Sequence, residues 1–420
     1  MKSWNMIRFA TQYRAVRPSL RRTFIAPPFE SDLTEVDADD FNLADFQHID
    51  PTKIKPSKED GSQLPSNILS QVAEVKKPLV VVSKLNDPYI NLALEDYIFT
   101  KMPLPNHKLH NYNRLMFYTN TPCVVIGKNQ NPWKEANLPL LNSLHIPLVR
   151  RNSGGGTVVH DMGNVNYSYM TTKEAFDRLK FANIVVEAVN KHASSPVQLE
   201  VNERGDIVTE IIDGINYKVS GSAYKLAKGR SYHHGTMLLN LRLDILGQLL
   251  SRDEFKLGKV DAMSSIQSVK SKVKNVEILS DVFRHVVTNA FKSFSGEEPE
   301  VFEITKETEL PSEVSELATH LTTREWVYGN TPKFTHELRS EEYGFTVKFE
   351  MDRKTVVSSV ILQFDTSVSE TDEKAIRDSF QYLELMVRKG TLKYSGSEVA
   401  GFVTHDEISD WLGMAIDGTT

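Results

Sequence analysis

The sequence has little cysteine and no long apolar run. Among its 420 residues Cys123 is the one cysteine, which excludes an intrachain disulfide and a cysteine metal cluster. No apolar run approaches the roughly 20 residues that span a bilayer, so we expect no membrane segment. The formal net charge of −6 argues against a general nucleic-acid binder, because such proteins are usually basic. The composition, 40% hydrophobic and 25% charged, indicates a sizeable core.

Acidic residues are absent from the start of the chain, where basic residues are interleaved with apolar and aromatic ones. Glu30 is the first acidic residue, and it follows six basic ones: Lys2, Arg8, Arg14, Arg17, Arg21 and Arg22. A basic, amphipathic, acid-free start is typical of a mitochondrial transit peptide. We therefore predict that residues 1–29 are a transit peptide, cleaved near residues 22–24, and that the protein resides in the mitochondrial matrix. The alternative is a basic disordered tail.

The next segment, residues 30–77, begins with a cluster of acidic residues. Pro51, Pro56 and Pro65 punctuate the rest of this segment, and no apolar period is sustained. A charged stretch without an apolar face cannot bury a core of its own. We predict an acidic flexible linker here. The alternative is a short helix near residues 41–46 that packs on the following domain.

From Pro78 onward, apolar strands alternate with amphipathic helices. Leu79–Ser83 is apolar and β-branched, which predicts a strand, and Asp87-Pro88 combines a helix cap with a proline at the first helical position. Asp213-Gly214 is a two-residue hairpin signal between strands at 207–212 and 215–219. Further predicted elements are a strand at 124–127, helices at 176–193, 281–294 and 373–387, and strands at 345–349 and 356–364.

These elements predict an α+β protein with a larger mixed-sheet domain and a smaller strand–helix domain. The larger domain is placed at residues 78–300 and the smaller one at 311–420. The segment 296–311 is expected to act as a hinge, because hinges lie in short segments between rigid parts.

The stretch at 150–161 reads Arg-Arg-Asn-Ser-Gly-Gly-Gly-Thr-Val-Val-His-Asp and is the most informative in the chain. Consecutive glycines allow positive φ and close approach of backbone amides to a ligand, and successive amides can form a concave anion site. Arg150 and Arg151 add donors suited to phosphate or carboxylate. The spacing matches neither a Walker A loop nor a dinucleotide fingerprint. An anion-binding loop is one interpretation, and a flexible turn with solvated arginines is the other.

Lys218 and Asp206 are two further candidates. Lys218 lies on a predicted strand, where burial of a lysine requires an anionic partner; an edge-strand lysine facing water is the alternative. Asp206 is either a turn residue or a carboxylate that holds Mg²⁺ beside phosphates. A regular hairpin would pair Lys218 with Thr209 and put Asp206 on the opposite face, unless a loop or a bulge intervenes.

The histidines and the cysteine suggest structural roles. His233 and His234 are adjacent, so on a strand they point to opposite sides and make a poor pair for one metal ion. A packed hydrogen-bond network is the favoured interpretation. Cys123 lies in Pro-Cys-Val-Val without a neighbouring histidine, so we expect a buried core cysteine and not an acyl-carrying nucleophile.

In combination, these segments resemble the lipoate–protein ligase A family. The matching stretches run in the family's order: Asp-Pro-Tyr-Ile-Asn-Leu-Ala-Leu-Glu at 87–95, Val-Ile-Gly-Lys-Asn-Gln-Asn-Pro-Trp at 125–133, the loop at 150–161, Lys-Val-Ser-Gly-Ser-Ala-Tyr at 218–224, and His-His-Gly-Thr-Met-Leu at 233–238. The resemblance covers about residues 79–290 and continues more weakly through Trp-Val-Tyr-Gly at 326–329. Residues 1–78 have no counterpart.

The resemblance implies a biotin/lipoate protein ligase-like mixed β-sheet catalytic domain with a small α/β C-terminal accessory domain. It implies that lipoate, or octanoate, and ATP with Mg²⁺ give an acyl-adenylate, from which a specific acceptor lysine is acylated. The acceptors would be lipoyl-domain proteins, namely the E2 subunits of 2-oxoacid dehydrogenases and the glycine cleavage H protein. The ligase would act as a monomer, without nucleic acid or a membrane.

The resemblance also implies roles for single residues. Lys218 would be catalytic, because it would touch both the carboxylate and the α-phosphate. The nucleotide would be held by Lys218, Arg151, Gly156, Thr157, Val158 and Val159. The acyl pocket would be lined by Lys218, Arg150, Gly155 and His160. Asp206 would bind Mg²⁺ or order the adenylate, although it follows Gly205, where bacterial members usually carry asparagine, and this departure weakens the metal assignment.

Three other functions stay open on the sequence. An acyltransferase that uses a preformed acyl-AMP or an acyl thioester would recognise the acyl group and the acceptor in the same way. A non-catalytic acyl-binding or adenylate-binding module would need neither the intact loop nor Lys218. A biotin ligase fits less well, since the double arginine before three glycines is closer to lipoate ligases.

Fusing residues 1–30 to a fluorescent reporter tests the targeting prediction. We expect the fusion to enter mitochondria and to lose its basic stretch, because import depends on a positive amphipathic segment. Microscopy locates the reporter, and mass spectrometry of its N-terminus detects cleavage. In the matched control, glutamine replaces Arg14, Arg17, Arg21 and Arg22, and the reporter should stay in the cytosol. A wild-type fusion that remains cytosolic with its arginines intact would refute targeting.

Overall fold

The computed structural model describes residues 68–106, 111–192 and 195–419. The predicted transit peptide and most of the predicted linker at 30–77 lie outside the described residues. Within the described ranges, none of the helices combines the length and hydropathy that crossing a bilayer requires.

Helices and strands alternate along the described chain. In chain order, the strands are β1 (Leu79–Ser83), β2 (Arg114–Tyr118), β3 (Cys123–Ile126), β4 (Leu148–Arg150), β5 (Val158–His160), β6 (Asn164–Thr172), β7 (Leu199–Val201), β8 (Ile207–Thr209), β9 (Lys218–Ser220), β10 (Ser222–Ala227), β11 (Arg230–Leu238), β12 (Lys259–Asp261), β13 (Glu300–Ile304), β14 (Phe334–Ser340), β15 (Phe345–Met351) and β16 (Val357–Phe364). The helices are α1 (Ile68–Ala73), α2 (Pro88–Lys101), α3 (Pro132–Glu135), α4 (Leu138–Ser143), α5 (Lys180–His192), α6 (Leu243–Leu250), α7 (Glu254–Leu257), α8 (Ser280–Ser295), α9 (Ser312–Thr322), α10 (Arg324–Val327), α11 (Glu370–Ser379), α12 (Gln381–Lys389), α13 (Gly396–Ala400) and α14 (Asp406–Ile416).

The largest sheet has six strands in the order β10–β11–β6–β2–β1–β13. β1 pairs in parallel with β2 and β13, and the other pairs are antiparallel, so the sheet is mixed. Alternate residues of β1 enter different cores: Val80 packs with α5 and α8, whereas Leu79 and Val81 pack with α1, α2 and α9. The continuous apolar run of β1 is explained by this burial on both faces.

Helix α2 begins where the sequence predicts. The Asp87 carboxylate accepts hydrogen bonds from the amides of Tyr89 and Ile90 at 2.8 and 2.9 Å, and Pro88 opens the first turn. Leu94 and Ile98 pack into the core beneath β1. The same helix carries two buried polar residues, Asn91 and Glu95, into the candidate site.

The end of the predicted linker is an ordered helix. α1 buries Leu69, Val72 and Ala73 against the layer that contains α2. The linker prediction is therefore wrong for the residues of α1. Apolar residues at i, i+3 and i+4 give a one-turn apolar face, but the helix is too short to show a sustained period.

The C-terminal sheet includes a strand from the middle of the chain. Its order is β12–β14–β15–β16, and β12 pairs Val260 with His336. The core beneath it is also shared, since Trp133 stacks on Phe334 with ring centroids 5.0 Å apart. The helix expected at 373–387 is split in two at Phe380, which ends α11 and precedes α12.

The segment 296–311 does not match the expected hinge. It contains β13, which pairs residue by residue with β1 at the edge of the largest sheet. The next helix, α9, inserts Val314 and Ala318 into the core that contains α2. Motion at residues 300–304 would break the edge of a sheet. The assignment of residues 78–300 and 311–420 to two domains stays a prediction.

Ending the chain after Glu309 should destabilise the remainder, because Leu321 covers Leu92, Val125 and Val149 in one fully buried cluster. We expect poor solubility or a melting temperature well below that of the full chain. The milder variant Leu321→Ala should lose about 2–5 kcal/mol of unfolding free energy, as buried leucine deletions do. Thermal and denaturant unfolding measure both changes. A truncated protein that stays monomeric and melts like the full chain would show that the C-terminal segment is an independent unit.

Candidate active site

A cavity of about 250 Å³ lies beside the glycine loop, which we define as residues 151–157. One part of its wall is apolar and consists of Leu92, Tyr118, Val125 and Ala223. Another part is charged and consists of Arg178, Arg204, Asp206 and Lys218. A cavity with an apolar part and a cationic part fits an amphipathic ligand, with an apolar chain and an anionic group.

The glycine loop is packed backbone to backbone against the end of β3. Gly155 has φ of +88°, and a Cβ on Gly127 would lie 2.2 Å from the Gly155 carbonyl oxygen. A side chain at Gly127 therefore cannot be accommodated, and one at Gly155 would be strained. The triple glycine thus meets a steric need of the loop.

The Arg151 guanidinium holds the loop from beneath. It is 4% exposed, and it donates to the carbonyls of Gly154 and Gly156 at 2.7 Å and to the Val125 carbonyl at 3.2 Å. The carbonyls of the loop are therefore turned toward Arg151. Within the described ranges, the amides of residues 154–156 form no hydrogen bond. Such unpaired, successive amides are the donors that an anionic ligand would use.

Arg150 lies outside the cavity, which corrects the prediction that it lines an acyl pocket. It is fully buried and donates to the carbonyls of Gly127, Lys128, Gln130 and Val327 and to the Thr331 hydroxyl, at 2.7 to 3.2 Å. Burial lowers its pKa to about 9, so it stays protonated at neutral pH. Arg150 fixes the base of the glycine loop to the C-terminal segment, and its nitrogens donate to the protein and not to a ligand.

A buried chain of hydrogen bonds links helix α2 to the glycine loop. Both carboxylate oxygens of Glu95 lie 3.0 Å from His234 Nδ1, and His234 Nε2 lies 2.8 Å from Ser153 Oγ. Ser153 Oγ also accepts a hydrogen bond from Arg151 Nε at 3.0 Å. Each of these side chains is buried, so removing one would leave a buried polar partner unpaired.

His160 offers a donor toward the cavity that it lines. The side-chain amide of Asn91 donates to the Leu85 carbonyl and to Asn120 Oδ1, which orients Asn120 so that its Nδ2 donates to His160 Nδ1 at 3.0 Å. The proton of neutral His160 therefore resides on Nε2. Burial lowers its pKa to about 3, and Nε2 has no partner among the described residues. A ligand oxygen would satisfy this donor.

Lys218 and Asp206 face each other across an irregular hairpin. Lys218 Nζ lies 3.0 Å from Asp206 Oδ1, and Arg204 Nη2 lies 2.8 Å from Asp206 Oδ2. The hairpin is not regular: Lys218 pairs with Val208 and not with Thr209. A bulge at this step brings Asp206 to the same side as Lys218, which was the exception that the sequence allowed. Lys218 thus has an anionic partner within the protein.

The Asp206 site does not fit a Mg²⁺ ion by itself. Each Asp206 oxygen already pairs with a cation, and the described ranges hold no group of three carboxylate, histidine or cysteine ligands. Mg²⁺ prefers six oxygen ligands. The placement supports Asp206 as the residue that orients Lys218, and a magnesium role would require phosphate oxygens from a nucleotide.

The structure brings most of the predicted site residues together. The cavity is lined by Arg151, Gly156, Thr157, Val158, His160, Asp206 and Lys218. Gly155 belongs to the loop but does not line the cavity, and it packs against Gly127 and Arg151. Val159 points into the core with Val124, because successive strand residues face opposite sides.

The predictions for the histidines and for Cys123 hold. His233 bonds Ser222 on one side of β11, whereas His234 bonds Glu95 and Ser153 on the other. Cys123 is fully buried, and burial raises the pKa of its thiol well above the usual range. A thiol of this kind is neither accessible nor nucleophilic.

The sequence prediction missed the far wall of the cavity. Gln267, Ser268 and Val269 line it, and Ser268 Oγ accepts hydrogen bonds from the Thr157 amide at 2.8 Å and from Gln130 Nε2 at 3.0 Å. The available signal was the alternation Val-Lys-Ser-Lys-Val-Lys at 269–274, which indicates an extended segment.

Comparison with known proteins gives consistent matches. The family model described as "Lipoyl protein ligase A/B catalytic domain" matches residues 87–294. A Saccharomyces cerevisiae protein named "Putative lipoate-protein ligase A" is 40% identical over 286 residues, which are 67% of this chain and 67% of the relative. The crystal structure of P. falciparum LipL1 in complex with lipoate superposes with a TM-score of 0.51 at 22% identity, over 80% of this chain and 98% of that one. At this identity the superposition shows a shared fold.

The three glycines should respond differently to alanine. Gly155→Ala should lose about 1 kcal/mol or more of stability, because φ is positive and the new Cβ would lie 2.9 Å from Arg151 Nη2. Gly156→Ala should mainly weaken ligand binding, since its Cβ would press on Ser268 Oγ at 3.1 Å. Gly154→Ala is the matched control, because no heavy atom lies within 4 Å of its Cβ. Thermal melts and binding titrations separate the effects; equal losses for all three would contradict this assignment.

Proposed function

Because this chain belongs to the lipoate–protein ligase A family, we propose that it attaches lipoate or octanoate to a specific lysine of lipoyl-domain proteins through an acyl-adenylate. The chain has the biotin/lipoate ligase-like fold and is a ligase of this family. The observation that carries the proposal is the position of Lys218, which lines the cavity with the apolar residues and pairs with Asp206 in its charged part.

The two parts of the cavity wall suggest how the substrates lie. The acyl chain would run along Leu92, Tyr118 and Val125, and its carboxylate would meet Lys218. The unpaired amides of residues 154–156 and the side chains of Arg178 and Arg204 would surround the phosphates. The His160 Nε2 proton would be available to an oxygen of the acyl group.

The chemistry needs charge stabilisation more than an acid or a base. In the first step a carboxylate oxygen attacks the α-phosphorus of ATP, and the bond to the leaving pyrophosphate breaks. In the second step the neutral amine of the acceptor lysine attacks the acyl carbon, AMP leaves, and the amine loses a proton. Lys218 would stabilise negative charge in both steps, because a preoriented ammonium group costs no reorganisation during reaction. The ion pair with Asp206, which the bulge between Ile207 and Val208 makes possible, would orient the Lys218 ammonium group.

The acceptor and the cellular site are proposed from the family and from the N-terminal pattern. The proposed acceptors are the E2 subunits of 2-oxoacid dehydrogenases and the glycine cleavage H protein, acylated by a monomeric ligase. The basic, acid-free start of the chain supports action in the mitochondrial matrix. Mg²⁺ is proposed to enter with the nucleotide, since the described residues hold no carboxylate cage for it.

The main competing donor is a preformed acyl-AMP or an acyl thioester. A mechanism with an acyl group on Cys123 is not supported, because this thiol is fully buried. Direct transfer from a soluble thioester would use the same apolar part of the cavity wall for the acyl chain. Acyl-dependent exchange of label between pyrophosphate and ATP distinguishes activation of the free acid by ATP from the use of a preformed donor. Only formation of the adenylate from the acid and ATP produces this exchange.

Lys218→Ala should reduce acylation roughly 100-fold or more, by analogy with the loss of one electrostatic donor at a reacting centre. The melting temperature should change little, because Asp206 keeps Arg204 as a partner. Radiolabel transfer to a lipoyl domain and ATP–pyrophosphate exchange with lipoate and octanoate are the measurements. Lys259→Ala, an exposed strand lysine on β12, is the control and should behave like the wild type.

Two outcomes would change the conclusion. Near-normal turnover of Lys218→Ala would remove the catalytic assignment. A wild-type protein that shows no exchange, yet acylates its acceptor from a thioester, would be an acyltransferase and not an ATP-dependent ligase.

A further inference from the structure

The mouth of the cavity is bordered by residues 262–274, which we call the rim segment. It begins with a turn, in which the Ser265 amide donates to the Ala262 carbonyl at 2.9 Å, and it ends beside an isolated bridge between Val273 and Lys218. Its middle is fixed from below: the Ser268 amide donates to the Glu135 carboxylate, and the Ile266 amide donates to the Asn129 carbonyl at 3.0 Å. Its end is fixed by β9, since the Lys218 amide donates to the Lys272 carbonyl at 2.8 Å. Since the Thr157 amide also donates to Ser268 Oγ at 2.8 Å, the rim segment is anchored to both the glycine loop and the catalytic lysine.

Large apolar side chains of the rim segment remain in solvent. Met263 is 53% exposed, Ile266 is 49% exposed and Val269 is 62% exposed. These three lie within seven consecutive positions, and Val269 also lines the cavity. Apolar side chains concentrated beside a cavity mouth indicate a contact surface for a macromolecule more than for a small ligand.

The second half of the rim segment carries a basic strip, Lys270, Lys272 and Lys274. Ser271 lines a second cavity together with Arg204 and Lys218, whereas none of the three lysines lines either of the two cavities. Within the part of the chain that the structure describes, none of the three lysines forms an ion pair. The strip is positive on a chain whose net charge is −6.

We propose that the rim segment is the docking surface for the acceptor protein, and that it selects a domain with acidic residues around the target lysine. This inference rests on the proposed function. An acceptor lysine must reach the acyl carbon beside Lys218, so the body of its domain must rest on the rim. The basic strip supplies the attraction, and the exposed apolar side chains supply the contact area. Elsewhere the net negative charge of the chain would repel an acidic partner.

An alternative role for the basic strip is to bind the phosphates of ATP, and the geometry disfavours this role. The phosphates would bind inside the cavity, beside Lys218, Arg178 and Arg204. None of the three lysines lines either of the two cavities, so the strip lies outside the space that the phosphates would occupy. A role in nucleotide binding would appear in the first half-reaction, which takes place without the acceptor.

The test is the triple variant Lys270→Glu, Lys272→Glu and Lys274→Glu in the full chain. We measure binding of an unmodified acidic lipoyl domain by titration calorimetry at low and at raised salt. The affinity should fall roughly tenfold or more at low salt, and the salt dependence of the wild type should be lost. Acyl-dependent ATP–pyrophosphate exchange and the KM for acyl-AMP should stay within about twofold. The neutralising triple variant to glutamine should give an intermediate loss of affinity.

The matched control reverses three exposed lysines of the C-terminal segment, Lys354, Lys374 and Lys389, and changes the net charge equally. Equal weakening by this control, or unchanged acceptor binding in the rim variants with a wild-type melting temperature, would overturn the proposal. Loss of exchange with normal acceptor binding would also overturn it and would assign the strip to the nucleotide. If the wild type binds the lipoyl domain through the strip but never acylates it, the docking surface stands and the proposed ligase function fails.

Discussion

Two buried guanidinium groups hold the backbone on which the candidate site is built. Arg150 and Arg151 donate almost entirely to carbonyl oxygens, and among the described residues neither has a carboxylate partner in contact. A buried charge is costly unless its donors are satisfied, and several carbonyl dipoles can do this together. The arrangement fixes the direction of the peptides in the glycine loop. Because the carbonyls turn inward, the amides are left for a ligand.

The same two residues join regions that are far apart in the chain. Arg151 connects the loop to Ser153, and through His234 and Glu95 to helix α2. Arg150 connects the loop to the segment around Val327, and the Arg150 carbonyl accepts a hydrogen bond from Trp326 Nε1 at 2.7 Å. The shape of the cavity is therefore set by the whole described fold, including the C-terminal segment. The pairing of β12 with β14 and the stacking of Trp133 on Phe334 also connect the middle of the chain to the C-terminal segment.

The sequence predicted those features that depend on local chemistry. The cap at Asp87, the strand β1, the glycine loop, Lys218 and the buried Cys123 all have signals within a few residues, and the family resemblance placed the reaction. Features that depend on distant contacts were missed. Arg150 looks like a ligand donor until its carbonyl partners are known. The bulge beside Val208 reverses the face of Asp206, and a strand as short as β13 shows its pairing only in three dimensions.

The contact between Arg150 and Val327 spans 177 residues, which bears on the order in which the protein is made. A chain synthesised from its N-terminus contains the glycine loop long before it contains Val327 and Thr331, which accept from Nε and Nη2 of Arg150. Until those groups arrive, Arg150 is held only by the carbonyls of Gly127, Lys128 and Gln130, and its Nε and Nη2 lack their partners. Contacts of such long separation form late, because the intervening chain must be closed first. The base of the glycine loop is thus completed only after the residues around Val327 have been made.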